Sequence, residues 1–203
     1  LPKASLETSG AHFIAIGEGE ESMPAIVDCV MNNGDPSTIV SIAYNWNGYQ
    51  GVTRMYLRRV AEKREEAKPG DKYAEPIDLN KAPWPARELF EYNEYHDLSR
   101  GKKGPQTGAM FSRGCPGKCA FCGAADTLVR WRTIENVLNE MVAIRDLGIP
   151  NLFVMDDTYT VNRKRVLALS YGMVERGLAD MDKSVQLRLD QIDREVCDAM
   201  YAS

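Results

Sequence analysis

The second half of the chain alternates between strand-like and helix-like segments, and this alternation limits the possible folds more than any other feature. The strand candidates are residues 107–112, 152–155 and 185–189. Apolar residues at helical spacing follow the first two in 133–148 and 162–177, and a further helix candidate begins at Asp193. Strands and helices that alternate at this spacing form parallel βα units with crossover helices. The sequence therefore predicts an α/β fold.

Each of these predicted helices begins with a residue that is suited to capping. Thr133, Asn162 and Asp193 carry a side-chain oxygen that can accept a hydrogen bond from a backbone N–H of the first turn. Gly148 and Gly177 follow the first two helices, as glycine commonly does at helix C-termini. These residues predict where the helices begin and end.

The third strand candidate has one apolar and one polar side. The apolar side consists of Val185, Leu187 and Leu189. The polar side consists of Gln186, Arg188 and Asp190. In a barrel-like sheet the apolar side would pack against the outer helices, and the polar side would face an interior cavity for a ligand. The alternative is an ordinary edge strand with one face in solvent.

The N-terminal part begins with a strand, a turn and a helix. Residues 12–16 form a short apolar run that ends at Gly17, and a helical segment follows to about Met31. A buried strand followed by a glycine turn and a helix is typical of the last unit of a parallel α/β domain.

A hairpin and a linker are predicted next. Residues 39–44 read as a strand, and the turn 45–48 leads towards an antiparallel partner. Prolines within 76–85 then indicate an extended linker, which we expect to end near Gly104.

Composition and charge exclude several classes of protein. The chain has 203 residues, of which 44% are hydrophobic and 27% are charged, as in soluble globular proteins. A net charge of −4 argues against a nucleic-acid-coating protein, which would be basic. No apolar run approaches the roughly 18 residues of a transmembrane segment. We therefore expect a cytoplasmic protein with no nucleic-acid partner and no transmembrane segment.

The ends of the chain suggest a piece of a longer protein. The sequence does not begin with Met, and it stops at 201–203 inside a predicted helix. We therefore expect the chain to be a fragment.

Three of the five cysteines are clustered. Cys115, Cys119 and Cys122 have the spacing C-x3-C-x2-C directly after the first strand candidate, whereas Cys29 and Cys197 lie in predicted helices and are expected to be small buried residues. In a cytosolic chain, clustered cysteines are more often metal ligands or catalytic groups than disulfides. A structural zinc ion needs four protein ligands, and no fourth Cys or His lies nearby. An iron–sulfur cluster held by three thiolates would keep one iron open.

The cysteine segment resembles the cluster-binding loop of the radical S-adenosylmethionine (SAM) superfamily, in which an aromatic residue, here Phe121, precedes the third cysteine. Residues 16–20 are similar to the end of the cobalamin-binding domain that one subgroup carries at its N-terminus, and 78–87 are similar to the connector before the radical SAM core. The resemblance implies an N-terminal remnant of a doubly wound cobalamin-binding domain, followed by the first half of a partial (β/α) radical SAM barrel. The implied domains are 1–35, the end of a cobalamin-binding-like domain; 36–104, a hairpin and linker; and 105–203, the N-terminal half of the radical SAM core.

The resemblance also implies an activity. Cys115, Cys119 and Cys122 would hold a [4Fe-4S] cluster, and SAM would bind at the open iron and be cleaved to a 5′-deoxyadenosyl radical. The expected outcome is cobalamin-dependent methylation, or another radical transformation of an oxidoreductase type, of a small-molecule or lipid-like substrate that the sequence does not identify. An electron donor such as flavodoxin or ferredoxin is implied, and no catalytic residue is expected beyond the cluster ligands.

Four residues near the cluster loop or on the later strands are predicted to contact the cofactors. Phe121 would pack near the adenine of SAM, and Arg188 would lie on the polar side of the third strand. Where many family members have Gly-Gly-Glu, this chain has Met155 followed by Asp156 and Asp157, and either carboxylate could accept hydrogen bonds from the SAM ammonium. Successive side chains alternate along a strand, so which aspartate faces the site stays open.

Cobalamin binding is expected only because the chain resembles the subgroup that carries a cobalamin-binding domain. Gly17, Glu18 and Gly19 could hold part of a nucleotide-like tail, or they could simply form a tight turn. The Asp-x-His-x-x-Gly motif that supplies a cobalamin ligand is absent from the chain. Two alternatives to the enzyme stay open: a structural zinc-binding module completed by a partner's ligand, and an inactive fragment of the enzyme.

Overall fold

The computed structural model describes residues 2–53, 55–56, 73–74, 77–94 and 104–203. The chain forms two compact units, Leu1–Ala82 and Pro83–Ser203. The division between them falls within the predicted hairpin and linker, much of which lies outside the described residues. The three-domain division, 1–35, 36–104 and 105–203, stays a prediction.

The first unit is a small mixed structure around an antiparallel sheet. Its described helices and strands are α1 Pro2–Ser9, β1 Phe13–Ala15, α2 Ser22–Asn32, β2 Ile42–Trp46, β3 Tyr49–Val52, β4 Met55–Tyr56 and β5 Tyr73–Ala74. The three-stranded sheet has the order β1-β2-β3, and β4 pairs with β5 in parallel. The buried residues that form its core are Ile26, Cys29, Ile39, Ile42 and Tyr44.

The predicted hairpin is present between β2 and β3. Trp46 pairs with Tyr49 across a two-residue turn. Asn47 and Gly48 in this turn have φ angles of 51° and 81°. Two positive φ angles are typical of the type I′ turn, whose twist matches that of the flanking strands.

The first strand has a partner other than the expected one. β1 pairs antiparallel with β2, with Phe13 opposite Tyr44. Among the described residues β1 has no parallel neighbour, so the expected parallel arrangement around this strand is not the one observed. A hairpin strand that returns along the edge of β1 is an antiparallel partner, and this pairing depends on residues about 30 positions away in the sequence.

The second unit consists of βα units, as predicted. Its described helices and strands are β6 Gln106–Ala109, β7 Ser112–Arg113, β8 Arg130–Trp131, α3 Ile134–Asp146, β9 Asn151–Val154, α4 Arg163–Glu175, β10 Asp182–Ser184 and α5 Arg194–Ala202. The parallel sheet has the order β10-β9-β6. The α/β fold with a parallel sheet is therefore confirmed. None of the helices in the described residues has the length and apolar character that a membrane span requires.

The predicted helix ends are also observed. Thr133, Asn162 and Asp193 each accept a hydrogen bond from the backbone N–H three residues later, at 3.2, 3.1 and 2.9 Å. Gly148 and Gly177 have φ angles of 75° and 63°, which L-residues with a side chain rarely adopt. The local sequence thus determines where these helices begin and end.

The core lies between the parallel sheet and the helices. Its fully buried side chains include Phe111, Val137, Met141, Ile144, Leu152, Val154, Val166, Leu169 and Met173. Gly172 of α4 lies against α3, where an added Cβ would come within 2.6 Å of a methyl carbon of Leu138. The glycine therefore permits close packing of the two helices.

A buried carboxylate connects three parts of the second unit. Glu140 of α3 is only 1% exposed, and its Oε1 lies 2.7 Å from Nη2 of Arg87. Its other oxygen pairs with Arg132. Arg87 also donates to the carbonyl of Gly108 at 2.7 Å, and Arg132 donates to that of Met110 at 2.8 Å. Glu140 thereby links the segment before β6, β6 itself and the residue that precedes the α3 N-cap.

The third strand begins earlier than predicted. β10 covers Asp182–Ser184, and its ladder ends where Ser184 lies opposite Phe153, near the end of β9. The alternating residues follow the strand, and there the carbonyl of Gln186 accepts from the N–H of Tyr159 at 2.8 Å. Val185 packs against the core, but Leu189 is 81% exposed in a short 3₁₀ turn. The prediction that Leu189 packs against the helices is therefore wrong. In the part of the chain that the structure describes, β9 ends at Val154, and no other strand continues beside this segment to hold it in the sheet.

Candidate functional site

The three clustered cysteines lie in the loop between β7 and β8, residues 114–129, which we call the cysteine loop. β7 and β8 pair antiparallel, with Ser112 opposite Trp131, so the two ends of the loop lie next to each other. It follows β6 and therefore lies at the carboxyl end of the parallel sheet. In open α/β sheets this is the edge at which ligands bind.

Hydrogen bonds close the base of the cysteine loop. The N–H of Cys115 donates to Oγ1 of Thr127 at 2.8 Å, and the N–H of Thr127 donates back to the carbonyl of Cys115 at 2.9 Å. The N–H of Asp126 donates to the carbonyl of Gly117 at 2.7 Å. The backbone path of the loop is therefore set by contacts across its base rather than by apolar packing.

The three thiols are free and accessible. Cys115 is half-buried, and Cys119 and Cys122 are exposed. The N–H of Gly117 donates to the sulfur of Cys115 at 3.4 Å. Among the described residues, no three His, Cys, Asp or Glu side chains lie close enough together to hold a metal ion. The structure thus exposes the thiols without gathering them around one point, and their role as cluster ligands stays a prediction.

The two other cysteines differ from each other. Cys29 is buried, as expected, but Cys197 is exposed. α5 buries Val196 and Ala199 against the core side. Cys197 follows Val196 by one residue, which turns its side chain by about 100° around the helix axis. The expectation that Cys197 is buried is therefore wrong.

The two aspartates after β9 have different surroundings. Asp156 is buried, and its Oδ1 accepts from the N–H groups of Phe111 and Ser112 at 2.7 and 2.9 Å. Its Oδ2 accepts from the hydroxyl of Ser112 at 2.6 Å. Asp157 is exposed, and its Oδ2 accepts from the N–H of Gly114 at 2.9 Å. Asp156 therefore lies beneath the start of the cysteine loop, and Asp157 lies beside it.

Burial changes the electrostatics around Asp156. Burial raises the pKa of the Asp156 carboxyl above its usual value, although hydrogen bonds from Ser112 and Phe111 and the nearby charge of Arg165 oppose the change. Burial likewise raises the pKa of Tyr159, and the negative charge of Asp156 adds to this effect. Arg165 donates to the carbonyl of Phe111 at 3.3 Å. The guanidinium therefore supplies a positive charge to the region in which Asp156 is buried.

A cavity of about 280 Å³ adjoins the first part of the cysteine loop. It is lined by Cys115, Pro116, Gly117, Lys118, Thr158, Arg188 and Gln191. Arg188 is exposed and makes two hydrogen bonds to Asp190, at 3.0 and 2.7 Å, which raise the pKa of its guanidinium. Thr158 is 5% exposed, and its Oγ1 has no hydrogen-bond partner among the described residues. The structure thus brings Arg188 to the cysteine loop, although not from a strand.

The other predicted cofactor contacts are placed as follows. Phe121 is 94% exposed at the tip of the cysteine loop. Gly17, Glu18 and Gly19 form the turn between β1 and α2 in the first unit, where Gly17 has a φ of 84° and the carbonyl of Glu18 accepts from the hydroxyl of Ser22 at 3.4 Å. Their contacts with SAM or cobalamin stay predictions.

Two residues near the loop are absent from the sequence prediction. Thr158 follows the two aspartates at the carboxyl end of β9, and this position is a signal that could have found it. Gln191 has no comparable signal, because the 3₁₀ turn that brings it to the cavity is not visible in the sequence pattern.

Comparison with known proteins adds the family context. The chain is 27% identical over 188 residues to an uncharacterised methyltransferase of Pyrococcus horikoshii, a match that covers 91% of this chain and 36% of that protein. It is 27% identical over 154 residues to the anaerobic magnesium-protoporphyrin IX monomethyl ester cyclase of Synechocystis, covering 74% of this chain and 27% of that protein. No family model matches the chain.

The fold comparison points in the same direction. The structure of the radical SAM methyltransferase TsrM from Kitasatospora setae, with cobalamin and a [4Fe-4S] cluster bound, matches 99% of this chain with a TM-score of 0.66 and 17% identity. The predicted resemblance to radical SAM proteins is thus confirmed at the level of the fold. A second TsrM structure, with tryptophan substrate and the SAM analogue aza-SAM, matches equally well. The chain covers 38% and 37% of those two TsrM chains, so it spans little more than a third of the length of TsrM.

Proposed function

We propose that this chain is the cluster-binding part of a radical SAM enzyme of the cobalamin-dependent methyltransferase type. One observation carries the proposal above all others: three free thiols lie on a single loop at the carboxyl edge of a parallel sheet. The fold likeness to TsrM and the sequence likeness to a methyltransferase support it.

The donor set fits a [4Fe-4S] cluster better than zinc. Structural zinc takes four protein ligands, whereas a cluster with an open iron takes three thiolates. Cys115, Cys119 and Cys122 would be those three ligands, and the N–H of Gly117 already reaches the sulfur of Cys115. When bound, such a cluster supplies the electron that cleaves SAM.

Residues around the cavity provide the polar groups that a SAM molecule needs. Arg188 offers a positive charge beside the loop, and the hydroxyl of buried Thr158 and the amide of Gln191 line the same space. We propose that these groups bind and orient the polar methionine end of SAM. Phe121, exposed at the loop tip, would then cover the adenine and exclude water from it.

Cobalamin and the substrate are proposed from the relatives. TsrM binds cobalamin and acts on tryptophan, which supports cobalamin use and a small-molecule substrate here. The turn at Gly17, Glu18 and Gly19 is the part of the first unit that we propose to contact cobalamin. The likeness to a cyclase as well as to a methyltransferase keeps the reaction class at radical methylation or a related radical transformation. A small electron-transfer protein such as flavodoxin or ferredoxin would supply the electron.

Anaerobic reconstitution of the full chain tests the proposal. We expect about four irons and four sulfides per chain. Replacing any of Cys115, Cys119 or Cys122 with Ala should abolish stable loading. Cys197→Ala is the matched control, because this thiol is also exposed but lies on α5 outside the loop, and it should load fully. A full cluster in the Cys119→Ala variant, or stoichiometric zinc without iron in the unaltered chain, would contradict the assignment.

A further inference from the structure

We infer that Asp156 and Asp157 are positioning residues: together they form a two-carboxylate clamp that holds the backbone before Cys115 in the conformation from which the cysteine loop can bind its cluster. This inference rests on the proposed function, because it assigns a purpose to the loop. It differs from the expectation that one aspartate binds the ammonium of SAM.

Both aspartates accept hydrogen bonds from one short segment, residues 111–114, which we call the stem. Asp156 accepts three hydrogen bonds from Phe111 and Ser112, and Asp157 accepts one from Gly114. Asp156 and Asp157 follow the end of β9, which is Val154. The two aspartates therefore reach the stem at two separated points, one below and one beside it.

Further contacts hold Phe111, the first residue of the stem. The carbonyl of Phe111 accepts from the N–H of Arg132 at 3.1 Å and from the guanidinium of Arg165 at 3.3 Å. Phe111 itself is fully buried, next to the ring of Tyr159 at a centroid distance of 6.4 Å. The start of the stem is thus fixed both by packing and by hydrogen bonds.

Gly114 is the point at which the chain turns into the loop. Its φ of 95° is one that a residue with a side chain rarely adopts. A Cβ here would lie 2.1 Å from the carbonyl oxygen of Leu128 on the returning side of the loop. In this conformation the Gly114 N–H donates to Asp157, directly before the first cysteine.

The clamp and a SAM-binding role make different chemical demands on Asp157. An N–H donor needs only an acceptor oxygen, and asparagine keeps one. A SAM ammonium needs the negative charge for a charge-assisted bond, and asparagine lacks it. Asp157→Asn should therefore preserve the clamp, whereas Asp157→Ala removes it.

Two measurements on the full chain test this inference, one without the cluster and one with it. In the cluster-free chain, hydrogen–deuterium exchange of a peptide that spans 111–115 should be about two- to ten-fold faster in Asp157→Ala than in the unaltered chain, the range expected for one lost hydrogen bond. After reconstitution, the release of iron to a chelator should accelerate over the same range. Asp157→Asn should match the unaltered chain in both. The control Asp198→Ala removes an exposed carboxylate on α5 that pairs with Arg194, and it should change neither.

The outcomes separate the two proposals. If exchange accelerates in Asp157→Ala but the unaltered chain binds no iron, Asp157 does hold the stem, whereas the proposed function fails, and with it the link between the stem and a cluster. If the chain loads its cluster but Asp157→Ala matches the unaltered chain in exchange and in iron release, the clamp is wrong. If Asp157→Asn behaves like Asp157→Ala in both measurements, charge rather than an acceptor is required, and the clamp is also wrong.

Discussion

The cysteine loop and the helical core of the same unit are stabilised by different interactions. The core buries apolar side chains such as Met141, Ile144 and Leu152 completely. The cysteine loop exposes Phe121 and two of its thiols, and it is held by hydrogen bonds across its base and by a hydrogen bond from Gly114 to Asp157. Each fully buried core side chain is worth about 1.5–3 kcal/mol, against about 0.5–1.5 kcal/mol for a typical hydrogen bond.

This difference implies that stability and cluster binding can be changed separately. The core should determine the free energy of unfolding, because most of the buried apolar surface lies there. The cysteine loop adds little to this free energy, so a ligand can reorganise its thiols at small cost. Substitutions in the two regions should therefore have different signatures.

The largest effect on cluster binding that we expect comes from Gly114→Ala, in the cysteine loop. A positive φ in a residue with a side chain costs of order 1–3 kcal/mol, and the new Cβ would also clash with the carbonyl of Leu128. Most of the iron bound after reconstitution should be lost, while the core keeps its circular dichroism spectrum. Gly123→Ala in the same loop is the matched control, because its Cβ would meet nothing within 4 Å and its φ is not positive. Equal iron content in the two variants would contradict the role of Gly114.

The largest effect on the free energy of unfolding should come from Glu140→Ala, on the core side of the comparison. Removal of this carboxylate leaves Arg87 and Arg132 buried without their counter-charge. Breaking a buried ion pair in this way costs about 3–5 kcal/mol. Urea denaturation should show the loss, and Glu175→Ala, an exposed residue of α4, should leave the unfolding midpoint nearly unchanged. If Glu140→Ala is as stable as Glu175→Ala, the buried network does not hold the core together.

The smallest effect is a pH dependence at the edge of the sheet. Lys183 of β10 is half-buried, and burial lowers its pKa from 10.5 to about 8. Between these two values the unfolded chain binds more protons than the folded chain, so the free energy of unfolding should rise as the pH increases from about 8 to 10.5. Urea titrations across this range should show a smaller rise in Lys183→Met than in the unaltered chain.

The matched control for this pH effect is Lys164→Met, because Lys164 is an exposed lysine of α4. It should keep the rise. A pH dependence that is identical in Lys183→Met and Lys164→Met would show that Lys183 is charged to the same extent in both states.

Features that depend on neighbouring residues could be predicted from the sequence. Thr133, Asn162 and Asp193 cap helices because their side chains reach an N–H only three residues away. Asn47 and Gly48 form the hairpin turn because these residue types tolerate positive φ. Both effects act within one turn of chain, so local pattern is sufficient to show them.

The candidate site could be predicted only in part. The spacing of Cys115, Cys119 and Cys122 indicates the loop and its ligand chemistry without any structure. The different surroundings of Asp156 and Asp157 were not predictable, because the partners of Asp156 lie 44 and 45 residues away. Alternation along a strand indicates that the two side chains point in opposite directions, but it does not indicate which of them is buried.

By itself, the sequence determined the order of the βα units, the ends of their helices and the position of the cysteine loop, because these follow from local periodicity, capping and spacing. Only the tertiary structure decided that β1 pairs with β2, that Leu189 lies outside the sheet and that Asp156 is buried beneath the stem. These properties arise when segments that are distant in the chain meet. Their energies depend on which surfaces exclude water and which N–H groups lack a local acceptor, and neither quantity can be read from neighbouring residues.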